Sequence, residues 1–348
     1  MRLEKWGAGK EENQIAADNP EYVLGRVVSQ EREVYRVVTE QEIYFARVSG
    51  KYRYDAVNPS DYPAVGDFVL MECMSREEPA IIQKVLPRKS AFIRKAAGTK
   101  SVEQIVAANI DTIFICMSLN KDFNVRRLER YLSVAWDSGA TPVIVLTKED
   151  LNDDVEDNLL EIEKVAIGVP VIQTSAITED GLHQIYPYLK EYQTVAFVGS
   201  SGVGKSTLIN HLLGAELIDT GGLRNDDKGR HTTTHRELFM IPGKGMVIDT
   251  PGMRELGMWS AEDGIDHTFS DIDELVGQCR FSDCTHQTEP GCAVRQAVRD
   301  GLIAEDRYRA YMKLKAENAY NENAADYIAA KKKKFKEIAK FNKNNQRK

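Results

Sequence analysis

Apolar positions in the first quarter of the chain come in short runs. Five of them, Tyr22–Ser29, Val34–Thr39, Ile43–Val48, Asp67–Cys73 and Ala80–Val85, are rich in Val, Ile and Tyr and are parted by polar or Pro/Gly breaks. Branched and aromatic residues in runs of that length predict strands, and five short strands so close together fit a small barrel. The pattern suits an oligonucleotide-binding (OB) fold and an SH3-like barrel equally. Residues 1–20 are polar and read as a flexible N-terminus. Residues 87–103, with Arg88, Lys89, Arg94, Lys95 and Lys100, read as a basic, loop-like linker.

From Ile110 the period changes. Apolar runs at Thr112–Met117, Pro142–Leu146, Val169–Gln173, Thr194–Val198, Glu237–Ile241 and Gly245–Ile248 alternate with helical stretches around Val125–Asp137, Val155–Ile167, Gly181–Tyr192 and Gly204–Leu213. Strands that lack polar alternation are covered on both faces, so this part predicts an α/β domain around a mainly parallel sheet. After Trp259 the chain turns polar and helical and holds three clustered cysteines. The expected division is a flexible end at 1–20, an OB-like barrel at 21–90, an α/β domain at 91–265 and a helical module with a basic tail at 266–348.

Composition adds two constraints. No apolar run approaches the roughly 18 residues of a membrane span, and the first residues lack the apolar core of a signal peptide. With five cysteines, an odd number, a reducing, cytoplasmic setting is expected. The net charge of −7 hides an asymmetry. Residues 331–348 carry nine Lys or Arg against one acid, Glu337, or +8, which leaves −15 on the rest. A basic tail on an acidic body suits either a polyanion partner such as nucleic acid or a solvated tail.

The chemistry concentrates in a few motifs. The strand Thr194–Val198 runs into Gly199, Ser200, Ser201, Gly202, Val203, Gly204, Lys205, Ser206 and Thr207, and a helix follows. This is G-x-x-x-x-G-K-[ST] in its strand–loop–helix setting. The glycines let backbone N–H groups face phosphates, Lys205 reaches the β- and γ-phosphates, and Ser206 is a Mg²⁺ ligand. Asp249-Thr-Pro-Gly252 follows the strand Gly245–Ile248, so Asp249 can hold the Mg²⁺ shell and Gly252 can offer its N–H to a γ-phosphate. Thr147-Lys148-Glu149-Asp150 closes the strand Pro142–Leu146. A carboxylate there can accept the paired N1–H and N2–H₂ donors of guanine, which adenine lacks. The same letters also make a helix N-cap or a polar turn; the phosphate loop in the same chain favours the base reader. Ser175 and Ala176 follow the next strand and can meet the guanine carbonyl. The base-reading parts thus precede the phosphate parts, the reverse of the usual order. A parallel sheet tolerates this, because ligand loops gather at the strands' carboxyl ends whatever the chain order.

Cys279, Cys284, His286 and Cys292 are three thiols and an imidazole within a short stretch, the composition of a closed structural Zn²⁺ site. Clustered, unligated thiols are the other reading. Cys73 and Cys116 lie in apolar runs and read as core.

The permuted order, Gly229-Arg-His-Thr-Thr-Thr234, Asp249-Thr-Pro-Gly252 and the Cys/His set closely resemble the circularly permuted GTPases known as ribosome small-subunit-dependent GTPase A (RsgA, also YjeQ), over nearly the whole chain. The resemblance implies an OB-like barrel, a circularly permuted P-loop GTPase domain and a C-terminal helical zinc domain. It implies GTP and GDP with Mg²⁺ as ligands and one structural Zn²⁺. It also implies a partner in the small ribosomal subunit and its rRNA, with assembly factors alongside, a role in late subunit maturation, and hydrolysis stimulated by the ribosome. A monomer with no membrane association is expected. One departure is Thr147, where the family's motif usually begins with Asn; Thr can still bond to the phosphate loop with its single hydroxyl. Met253 stands where many GTPases carry a water-orienting Gln. His231 is the local candidate for that task, helped by the resemblance, and Thr233 is the candidate ligand of Mg²⁺ and γ-phosphate. The alternative is an RNA-binding regulatory module whose GTPase serves only as a slow switch.

Overall fold

The computed structural model describes residues 2–73, 78–95, 103–120, 122–151, 155–175, 178, 180–218, 236–250 and 261–322. The N-terminal end is folded, contrary to the flexible segment its polarity suggests. A 3-10 turn at Leu3–Trp6 precedes helix α1 (Lys10–Ala17), whose first turn is held by the Gly9 N–H donating to Glu12 Oε2 at 2.7 Å. Leu3, Ala8 and Glu12 are buried, and Glu12 pairs with Lys89 at 3.1 Å.

Five strands follow: β1 (Val23–Glu31), β2 (Val34–Thr39), β3 (Ile43–Val48), β4 (Phe68–Glu72) and β5 (Ala80–Val85). Their order is β1-β2-β3-β5-β4, and β4 returns to pair with β1, which closes a barrel. Strands β3 and β5 are parallel and the other pairs antiparallel, with helix α2 (Gly50–Asp55) between β3 and β4. That connectivity is the OB-fold and settles the choice that periodicity left open. Val27, Val37, Val69, Met71 and Ile82 fill the interior.

The stretch that reads as a linker is instead a hairpin of β6 (Ala91–Lys95) and β7 (Glu103–Ala108). Phe92, Val106 and Ala107 bury themselves in the main core, while Arg94 and Lys95 account for its basic look. Beyond it lie β8 (Thr112–Ser118), α3 (Val125–Asp137), β9 (Thr141–Thr147), α4 (Val155–Glu163), β10 (Val171–Gln173), β11 (Thr194–Gly199), α5 (Lys205–Leu213), β12 (Arg236–Met240) and β13 (Met246–Asp249). The strands run β10-β9-β8-β11-β13-β12, parallel except for the last pair. Alternation on β8 divides the core into two layers. Ile113, Ile115 and Met117 join the layer of α3, and Phe114 and Cys116 join that of α5. The helix expected over Gly181–Tyr192 is reduced to 3-10 turns at Leu182–Gln184 and Tyr186–Tyr188. Pro187 supplies the reason, since it lacks an N–H and disfavours helical backbone at the residue before it.

Two joints hold the parts together. Strand β12 also pairs with β1, so barrel and α/β sheet form one hydrogen-bonded surface of eleven strands. Beside this seam the buried Arg26 donates to the carbonyls of Gly66 (3.1 Å), Trp6 (2.5 Å) and Asn109 (3.2 Å) and to Thr194 Oγ1 (2.9 Å). Burial pulls its pKa down to about 10, so it keeps its charge at neutral pH. At the other end come α6 (Glu262–Thr268), α7 (Ser270–Val276), α8 (Ala293–Arg299) and α9 (residues 305–322). Helix α6 lies so close to α3 that a Cβ on Gly264 would stand 1.9 Å from the Ser133 carbonyl. The buried Arg307 completes this joint. It pairs with Asp271 at 2.6 Å and with Glu129 of α3 at 3.0 Å, and donates to the Thr268 carbonyl at 3.0 Å. No helix among the described residues is long and apolar enough to cross a membrane.

Candidate nucleotide site and metal centre

The phosphate loop leaves β11 and enters α5 at the carboxyl edge of the parallel sheet. Gly199, Gly202 and Gly204 all have positive φ, at 146°, 80° and 100°. Gly199 is also required by crowding, because a Cβ there would meet the Cys116 carbonyl at 2.4 Å. Lys205, the first residue of α5, is buried, and its ammonium donates to the carbonyls of Gly199 (3.0 Å) and Ser200 (2.8 Å). Burial lowers its pKa, and the neighbouring Asp249 opposes that shift. Cys116 under the loop is buried core, as its apolar run suggests, with its thiol pushed up to about 12 by burial.

The residues read as the base reader reach this loop. Thr147 ends β9 and its hydroxyl donates to the Val203 carbonyl at 2.5 Å. Lys148, in the left-handed region with φ 59°, gives its ammonium to the Gly202 carbonyl at 2.8 Å. Glu149 and Asp150 lie in the following 3-10 turn, and Asp150 Oδ1 accepts from the Ser175 hydroxyl at 2.6 Å. Ser175 is itself buried, and its N–H donates to the Asp180 carbonyl. Residues more than fifty positions apart in sequence therefore meet at one rim, as the permuted reading requires.

Asp249 ends β13 opposite Phe197 of β11. It is 3 % exposed, its Oδ1 has no hydrogen-bond partner among the described residues, and burial pushes its pKa up to about 6. A buried acid with an orphaned oxygen beside Lys205 fits a role in holding a Mg²⁺ ion. Thr250 fixes this strand end by donating to the Phe197 carbonyl at 2.5 Å. Ala176, His231, Thr233, Gly252 and Met253, with residues 229–234 and the basic tail at 331–348, lie outside the described residues.

Periodicity gave no sign of Arg127. From the first turn of α3 its guanidinium donates to Ser200 Oγ at 2.8 Å while pairing with Asp122 at 2.7 Å, which ties the phosphate loop to α3. An Arg in an amphipathic helix reads as surface, so no local signal marks it.

The Cys/His set converges as its spacing suggests. The ligand atoms of Cys279, Cys284, His286 and Cys292 all lie within 4.8 Å of one another. His286 Nδ1 is 3.6 Å from Cys279 Sγ and 3.5 Å from Cys292 Sγ, and those two sulfurs are 3.9 Å apart. With Zn–S near 2.3 Å and Zn–N near 2.0 Å, tetrahedral angles give about 3.8 Å between sulfurs and about 3.5 Å from sulfur to nitrogen. Those three atoms therefore have the spacing of zinc ligands, with Cys284 Sγ within 4.8 Å of each, and the Cys279 and Cys292 sulfurs stand too far apart for a disulfide. Local bonds shape the knuckle. Glu289 accepts from the Thr285 hydroxyl and from the N–H groups of Thr285, Gln287 and Thr288, which together hold its carboxyl down at about 2, and Tyr308 donates to the His286 carbonyl at 2.6 Å.

Comparison with known proteins agrees with this arrangement. Residues 85–259 match the family described as RsgA GTPase. The chain is 52 % identical to "Small ribosomal subunit biogenesis GTPase RsgA 2" of Lactiplantibacillus plantarum, over 86 % of this chain and 84 % of that one. It is 45 % identical to "Small ribosomal subunit biogenesis GTPase RsgA 1" of Oceanobacillus iheyensis, over 93 % of both. Among solved structures it is similar to YjeQ from Thermotoga maritima, with TM-score 0.61 and 29 % identity over 84 % of this chain and 97 % of that one. YloQ, described as a circularly permuted GTPase, gives TM-score 0.58 and 26 % identity over 88 % and 96 %.

Proposed function

The chain belongs to the RsgA GTPase family, and on that premise we propose that it hydrolyses GTP to GDP and phosphate in the service of late maturation of the small ribosomal subunit, with the subunit stimulating turnover. One observation carries the enzymatic part: Thr147 and Lys148 are bonded to the carbonyls of the very loop that holds Lys205, beside the orphaned Asp249 oxygen. A base reader, a phosphate cradle and a metal-shell acid share one rim.

The residues then divide the work. Asp150 accepts the N1–H and N2–H₂ of guanine, and the Lys148 stem covers the base. Ser175 orients Asp150, and Ala176 gives its N–H to the guanine carbonyl. The N–H groups of the glycine loop cradle the phosphates, and Lys205 exchanges its carbonyl partners for phosphate oxygens, which bear more charge. Ser206, Thr233 and Asp249 would hold Mg²⁺, which would supply positive charge to offset that of the phosphates. Gly252 offers its N–H to the γ-phosphate. His231 orients the attacking water, a task the Met253 thioether cannot perform. Cys279, Cys284, His286 and Cys292 would hold Zn²⁺, which supplies a structural staple. The acting form is a cytoplasmic monomer that contacts rRNA, with assembly factors as neighbours.

GTP turnover with and without purified small subunits tests the proposal. A rise of about tenfold or more on adding subunits supports it, since completing a GTPase site from outside is worth at least that much. Unchanged turnover would favour an RNA-binding module with a slow switch. His231→Ala should leave GTP affinity near the parent's and lower the stimulated kcat, because a water-orienting group acts only in the transition state. Parental turnover on subunits by that variant would make His231 a bystander.

A further inference from the structure

A threonine hydroxyl has one hydrogen to give. Thr147 Oγ1 lies 2.5 Å from the Val203 carbonyl oxygen and 3.4 Å from that of Met117, and both can only accept. The hydrogen is therefore committed to the phosphate loop, and the rest of the oxygen presents lone pairs. At 3 % exposure the side chain is shut off from bulk solvent. A primary amide in this place would differ. It has two N–H donors, one for the loop carbonyl and one left over for the base. The outer edge of guanine, N7 and O6, consists of acceptors, so lone pairs facing it gain nothing. The other long donor of the motif also points at the loop, with Lys148 Nζ on the Gly202 carbonyl at 2.8 Å.

We propose that Thr147 makes this nucleotide site blind to N7 of guanine. Base identity is then read on the Watson–Crick edge by Asp150, and the opposite ring nitrogen carries no specificity. The inference rests on residues 147–150 being the base reader.

The test compares dissociation constants of GTP, 7-deaza-GTP and inosine triphosphate for the parent and Thr147→Asn. 7-Deaza-GTP replaces N7 by a carbon, and inosine triphosphate lacks the exocyclic amine that Asp150 reads. The parent should bind GTP and 7-deaza-GTP within about twofold, whereas Thr147→Asn should prefer GTP by about fivefold, the worth of one neutral hydrogen bond. A parental loss of about fivefold or more with 7-deaza-GTP overturns the proposal, since some donor then reads N7. So does a Thr147→Asn variant that binds GTP yet remains as blind as the parent. The parental comparison stands even where that variant fails to fold. Inosine triphosphate separates the two failures: if the parent binds it as tightly as GTP, the assignment of Asp150 is what has failed.

Discussion

The nucleotide site and the zinc knuckle are assembled in opposite ways. The knuckle draws four ligands from fourteen consecutive residues, and its shape comes from turns, from Glu289 accepting three backbone N–H groups and from a left-handed His286 at φ 60°. Its Cys292 joins the edge of the main core beside Val294 and Ala297, with Cys279 and Cys284 packed against it. The nucleotide site instead takes its described residues from positions 147 to 249, brought together by β9, β11 and β13 in a sheet buried on both faces. A site whose ligands sit on consecutive turns leans on its ion to hold those turns in shape. A site spread over a sheet is folded by the sheet and leans on its ligand for chemistry alone.

Zinc removal should break this contrast most visibly. Structural zinc binding in small modules is worth about 10 kcal/mol or more, beyond what so short a loop can recover from turns. Chelation should therefore disorder residues 279–292, seen as zinc release together with new proteolytic cuts there. GTP affinity should stay within about twofold, because no ligand of the knuckle belongs to the sheet. A parallel collapse of GTP binding would mean that the two regions fold as one. Asp150→Asn probes the other side. GTP affinity should fall by about a hundredfold or more, with a gain for xanthosine triphosphate, because a polar reader discriminates strongly when its partners are mismatched. Zinc content should not change, and GTP binding at parental strength would remove Asp150 from the base reader.

The boundary between the regions gives the smallest effect. Arg307 is 5 % exposed and faces Glu129, which is fully buried and has one oxygen without a partner among the described residues. Arg307→Ala leaves that carboxylate with only Arg126 and should cost about 3 kcal/mol in urea unfolding. Replacing both Glu129 and Arg307 by Met should restore much of the loss, since a buried ion pair is often no better than a packed apolar one. A double variant as weak as Arg307→Ala would show that the contacts of Arg307 with Asp271 and the Thr268 carbonyl carry the joint instead.

What the sequence made legible follows from which residues carry their own signal. The phosphate loop is legible because glycine is favoured where φ is positive and required where a neighbour also crowds in, and Gly199 meets both conditions. The knuckle is legible because thiols and imidazole cluster for few other reasons. The barrel strands are legible from branched residues, but the barrel's identity needed the β3–β5 pairing, which no local pattern carries. Residues 1–20 misled through their polarity, since three buried side chains suffice to dock them. The 87–103 stretch misled because its basic residues are tied to the fold: Arg88 pairs with the buried Asp67, and Arg94 bonds to Gln104 across the hairpin. Arg26 is the hardest case. Its partners lie up to 220 positions away, and nothing in β1 tells it from an ordinary solvent-facing arginine.

The seam between β1 and β12 bears on how the molecule can be taken apart. Strand β12 is bonded to β13 on one side and to the barrel on the other. A shortened chain that begins after the barrel would therefore present β12 as a bare edge, with N–H and C=O groups ready to recruit a second copy. It would also leave Thr194 and the Asn109 carbonyl without the guanidinium that serves them. Such a fragment is expected to associate along that edge, which light scattering on it would show. Charged or proline substitutions along β12 are the natural remedy for anyone who wants the nucleotide domain by itself.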